Sequence, residues 1–114
     1  MDLSELSAIS PLDGRYGPKL ARLRRYVSEY GLIRYRVLVE LRWLEHLTAI
    51  DGIPELPPMD ARVHAAVAAL TGDFAEADAR RVKDIESTTN HDVKAVEYLL
   101  KERLSAAGLR QESL

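Results

Sequence analysis

Between positions 28 and 50 the apolar residues of this chain fall into two parallel stripes, and that pattern limits its folding more than any other. Ile33, Val37, Leu41, Leu44 and Leu47 recur at spacings of three and four, which marks one face of an α-helix. Tyr35, Val39, Trp43 and Ile50 form a second, offset stripe. Together they make an apolar arc wider than a monomer's surface helix requires. The helix over 28–50 is therefore expected to be buried on more than one side, inside the domain or against a partner. Ser28 is its candidate N-cap, and Glu29 suits the positive end of the helix dipole. Arg36 and Glu40, four apart, form a candidate pair in the less favourable order.

The rest of the chain follows the same helical period. Pro11 to Pro18 holds two prolines and two glycines and reads as consecutive turns, so the N-terminal segment is irregular. A short helix is expected over 19–26. Gly52 and the prolines at 54, 57 and 58 stop the long helix. A third helix over 59–70 presents Val63, Val67 and Leu70, and Thr71-Gly72 is expected to break it. Asp73 and Glu76 have capping-box spacing and open a fourth helix carrying Ala75, Ala79, Val82 and Ile85. The last helix is expected over 89–104, with Val93, Val96, Leu99, Leu100 and Leu104 on its apolar side, and Ala106-Ala107-Gly108 closes it. No strand pattern or repeat is present. The expected fold class is all-α, with about five helices after an irregular N-terminal segment, in a single domain over 1–114.

Composition excludes several function classes. Sixteen Lys+Arg against eighteen Asp+Glu leave a formal charge of −2, so no basic surplus points to nucleic acid or an anionic membrane. No apolar run approaches the roughly 20 residues of a membrane-spanning helix. With no cysteine there is neither a disulfide framework nor a thiolate metal site, which suits a reducing, cytoplasmic compartment. His46, His64 and His91 form no His-x-x-x-His or Glu-x-x-His pair, so no metal is expected. Nor is there a Gly-rich phosphate loop, and no cofactor is implied.

Two short stretches are unlike ordinary helix or loop. In Asp13-Gly14-Arg15-Tyr16-Gly17, flanking glycines allow a tight turn and close approach to a ligand. Arg15 offers a planar fork of donors for phosphate or carboxylate, and Tyr16 adds a ring with a hydroxyl. The alternative is a surface turn with a solvated arginine. In Ser87-Thr88-Thr89-Asn90-His91-Asp92, Thr89 and Asp92 have capping-box spacing. Asn90 and His91 would then lie in the first helical turn, beside free backbone N–H groups that favour an anion. His91 is suited to donate to that anion or to carry a proton. Here the alternative is a capped helix start with a solvent-facing histidine.

These two stretches carry a family resemblance. Leu6 to Gly17, with Ala8-Ile9-Ser10-Pro11-Leu12-Asp13-Gly14-Arg15-Tyr16-Gly17, resembles the opening of bacterial adenylosuccinate lyases. So do Ser28-Glu29-Tyr30-Gly31-Leu32, Arg36-Val37 and Arg42-Trp43-Leu44. Ile85-Glu86 followed by Thr88-Thr89-Asn90-His91-Asp92-Val93-Lys94-Ala95-Val96-Glu97-Tyr98 is similar to the same family and distinguishes it from fumarases, aspartases and argininosuccinate lyases. The resemblance implies the N-terminal helical domain of the fumarase/aspartase superfamily fold. It implies a homotetrameric lyase of purine biosynthesis, which eliminates fumarate from adenylosuccinate, giving AMP, and from SAICAR, giving AICAR. It implies general acid–base chemistry by a serine and a histidine, with neither of those regions found in this chain. By the same resemblance Arg15 and Tyr16 lie at the substrate, near its phosphate. Asn90, His91 and Asp92 share that pocket, His91 holding the phosphoryl group and supporting the catalytic histidine.

The expected reading is thus the first of three domains of the parent lyase, a fragment ending at Leu114 that lacks the general acid and general base and is inactive alone. The alternative is a free-standing helical module that mediates assembly or nucleotide binding without catalysis.

Overall fold

The computed structural model describes residues 2–109. They are all-helical: a 3-10 turn, Gly17–Leu20, precedes five α-helices, α1 (Ala21–Val27), α2 (Glu29–Thr48), α3 (Ala61–Gly72), α4 (Glu76–Thr89) and α5 (Asp92–Ala106). No helix among these residues is long and apolar enough to cross a membrane. The chain divides into two compact units, Met1–Leu32 and Ile33–Leu114.

In the first unit, turns over residues 4–17 lead through the 3-10 turn into α1. Ser28 ends α1 in an extended conformation and caps α2 as expected, its Oγ accepting from the Gly31 N–H at 3.2 Å.

The second unit holds the core. Ile33, Val37 and Leu41 of α2, Val63 and Val67 of α3, Val82 of α4 and Ala95, Val96, Leu99 and Leu104 of α5 are all buried. Leu44 and Leu47, on the same stripe of α2, are only half-buried. They border a groove of about 220 Å³ lined also by Trp43, Leu56, Leu100 and Leu104. The second stripe is not covered by the described residues: Tyr35, Val39 and Trp43 are 40%, 64% and 56% exposed.

Helix ends explain the remaining boundaries. Asp60 caps α3, its side chain accepting from the Val63 N–H at 2.9 Å. Asp60→Ala is expected to cost about 1 kcal/mol of stability, read from a denaturant midpoint at unchanged slope. Thr71-Gly72 does not break α3 where expected. The Thr71 hydroxyl donates to the Ala68 carbonyl within the helix, and the helix ends at Asp73, whose N–H reaches Ala69 O at 2.8 Å.

The expected Asp73–Glu76 box does not form. Ala75 is the N-cap of α4, and the Asp78 carboxylate accepts its N–H at 2.9 Å. Phe74 and Ala79, both buried, stand at hydrophobic-staple positions on either side of that cap, and burying Phe74 sets the entry of the helix.

α4 and α5 form an antiparallel hairpin tied by ion pairs. Asp78 accepts from Arg103 at 2.6 Å, and Arg81 grips Glu102, its Nε at 3.1 Å. The C-terminus of α5 closes on Gly108 at φ 101°, a left-handed conformation that a side chain would strain. Gly108 N–H bonds Ser105 O, and Leu109 N–H bonds Leu104 O, a Schellman motif that brings the buried Leu109 back over the helix.

Candidate functional site

Arg15 and Tyr16 belong to the first unit, Asn90, His91 and Asp92 to the second. The N-terminal segment is built by chain reversal. Gly14 N–H bonds Ser10 O at 3.1 Å, and Tyr16 N–H bonds Pro11 O at 2.9 Å. Gly14 is buried, and a Cβ there would meet the Glu5 carbonyl oxygen at 2.8 Å. Glycine serves this turn through closeness of packing, since neither Gly14 nor Gly17 has a positive φ. The turn leaves Arg15 and Tyr16 exposed, with the guanidinium 5.2 Å from the Tyr16 ring centroid. Among the described residues Arg15 makes no ion pair. Its donor fork is held beside an aromatic face and free for a planar anion.

At the α4–α5 turn the order of residues differs from the expected one. α4 runs through Thr89, so Thr89 does not cap α5, and no Thr89–Asp92 box forms. Asn90 takes the left-handed conformation, φ 52° and ψ 29°, and ends α4, the role for which asparagine is the best residue after glycine. His91 is extended and is itself the N-cap: its Nδ1 accepts the Lys94 N–H at 3.1 Å. Asp92, the first residue of α5, accepts the Val93 N–H at 2.8 Å.

These contacts change the chemistry expected at this helix start. The amides of Val93 and Lys94 are already occupied by the protein's own side chains, so they are not the donors for an incoming anion. What remains is the imidazole. While Nδ1 accepts a hydrogen bond, the ring proton of the neutral histidine sits on Nε2, and the exposed ring presents that N–H outward. Asn90, exposed beside it, adds an amide with two further donors.

Asp92 has a second partner that local spacing did not indicate. Arg36 Nη1 of α2 lies 2.7 Å from Asp92 Oδ2. Arg36 therefore pairs across helices instead of with Glu40, one turn along, which lines the groove beside Trp43. The Val93 N–H and then the Arg36 guanidinium hold the Asp92 carboxyl below the usual carboxylate range, against the opposing effect of partial desolvation.

Further along α5, Glu97 bridges Lys94 at 2.8 Å and Lys101 at 3.1 Å, and both ammonium groups lie over the Tyr98 ring. Among the described residues no cluster of three His, Asp or Glu is placed to hold a metal ion.

Comparison with known proteins gives a consistent family. No family model matches the chain. Over 106 residues it is 54% identical to an adenylosuccinate lyase of Vibrio cholerae, an alignment covering 93% of this chain and 23% of the relative. It is 53% identical over 104 residues to that of Haemophilus influenzae, covering 91% and 23%. Against that of Dictyostelium discoideum it is 44% identical over 108 residues, covering 91% and 22%. The chain thus spans about a quarter of the length of these curated relatives. Identity of this order, sustained over nine-tenths of the chain in bacterial and eukaryotic proteins of one name, makes the chain similar to one segment of adenylosuccinate lyases.

Proposed function

We propose that this chain is the first domain of an adenylosuccinate lyase, a cytoplasmic homotetramer that releases fumarate from adenylosuccinate and from SAICAR. In this reading it supplies substrate-binding groups, and the groups that remove and donate the proton lie elsewhere in the parent. The observation that carries it is the identity of 53–54% to bacterial adenylosuccinate lyases over more than nine-tenths of the chain. The local chemistry agrees with it. Arg15 offers a two-pronged donor to a phosphate oxygen pair, with Tyr16 beside it. His91 offers a single Nε2–H of defined tautomer, and Asn90 an amide. Asp92 acts from behind, as an anchor for the turn that carries both. No cofactor is needed, since the elimination requires only a positioned base, a positioned acid and an oriented substrate.

The isolated chain is expected to release no fumarate from adenylosuccinate above the uncatalysed rate, while the full-length parent does so readily. Following the loss of adenylosuccinate absorbance measures both. Turnover by the 114-residue chain near that of the parent would put the acid and base on this domain and overturn the reading.

A further inference from the structure

The ion pair between Arg36 and Asp92 ties the middle of one helix to the first residue of another, far away in the chain. α5 begins at Asp92, and His91 caps it through Lys94. Whatever holds Asp92 in place therefore also sets where the His91 ring sits. Asp92 Oδ1 is committed to the Val93 amide and Oδ2 to Arg36 at 2.7 Å, so both carboxylate oxygens are in use. Arg36 in turn stands on α2 between the buried Ile33 and Val37. Its side chain is only 28% exposed, so the guanidinium is partly shielded by its surroundings.

We propose that Arg36 is a positioning residue: through Asp92 it fixes the first turn of α5 and thereby holds the His91 imidazole as an Nε2–H donor. The identity of the ligand that this donor meets rests on the function proposed above, whereas the coupling from Arg36 to His91 does not. A half-exposed ion pair contributes little to the stability of a whole domain. Its effect is local, on one ring and one amide, and is separable from unfolding.

The test is spectroscopic and needs no ligand. In the wild-type chain, long-range nitrogen–proton correlation should show an unprotonated Nδ1 and a protonated Nε2 at His91. Arg36→Gln is expected to mix the two tautomers and to speed exchange of the Lys94 amide several-fold, with the Leu99 amide in the core unchanged. Arg36→Lys, which keeps the charge without the fork, should restore part of the wild-type pattern. Asp92→Asn should give the Arg36→Gln signature, and the double variant should be no worse than either single one.

His91 and Lys94 signals in Arg36→Gln that match the wild type would overturn the proposal, as would additive effects in the double variant. If Arg36→Gln lowers protection of Leu99 equally, the pair is a general stabiliser and the proposal also fails. Addition of AMP to the full-length parent then addresses the ligand separately. No movement of His91 there would sink the phosphate reading while leaving the coupling to Arg36 decided by the exchange data.

Discussion

Truncating Leu99 to alanine is expected to destabilise the second unit by about 3 kcal/mol, lowering its melting temperature by on the order of 15 °C. Leu99 has no exposed surface, and it lies with the buried Val96, Leu100 and Leu104 on α5, a helix that packs against α3 and α4. Removing three carbons there forfeits transfer free energy and leaves a void that helices tied at both ends fill only in part. Val93→Ala is the control. It sits on the same helix and fits the same apolar period, yet Val93 is 45% exposed, so the change should stay within about 0.5 kcal/mol. Denaturant titration of the two variants measures the contrast. A loss below about 1 kcal/mol for Leu99→Ala would mean that the core around it is not closed.

The second large effect is on catalysis in the full-length parent. His91→Ala is expected to lower kcat/KM for adenylosuccinate roughly 10- to 100-fold, the range set by one hydrogen bond to a charged group. Because His91 is also the N-cap of α5, alanine removes two things at once. His91→Asn separates them, since asparagine is a good N-cap but lacks the reach and the Nε2–H of the imidazole. The asparagine variant should melt like the wild type and be about as slow as the alanine one. If asparagine instead restores activity, His91 acts by capping alone and has no direct part in holding substrate.

These contrasts also show what a linear sequence can disclose. Helix-forming stretches follow from apolar period, and the buried stripe Ile33–Val37–Leu41 was readable in that way. The period could not rank that stripe against Tyr35–Val39–Trp43, because both satisfy it equally. The choice depends on where α3 and α5 lie, which is a property of the assembled unit. Arg36 makes the same point for charge. Spacing rules consider partners on the same helix, so they offered Glu40, whereas the folded chain supplies Asp92 from another helix with better geometry.

Capping was legible at Ser28, whereas the cap of α3 by Asp60 was not anticipated. It was misread at α5, where the acceptor is an imidazole nitrogen and the turn depends on a left-handed asparagine. At α4 the expected box of Asp73 with Glu76 did not form, and the helix starts instead at Ala75, whose N–H is accepted by Asp78, next to the buried Phe74. The residues named for the site were recognisable only as a group of unusual polarity. Their division of labour, with His91 and Asp92 both spending one acceptor on the helix start, needed coordinates.

The uncovered stripe of α2 carries the chain's single tryptophan, Trp43, which stands beside His46 with ring centroids 6.0 Å apart. With excitation at wavelengths that the five tyrosines do not absorb, emission from this polypeptide therefore has one origin, on a surface wetted by solvent and next to the His46 ring. Its emission colour and intensity report on that face alone, so whatever comes to cover it can be followed optically without any added dye.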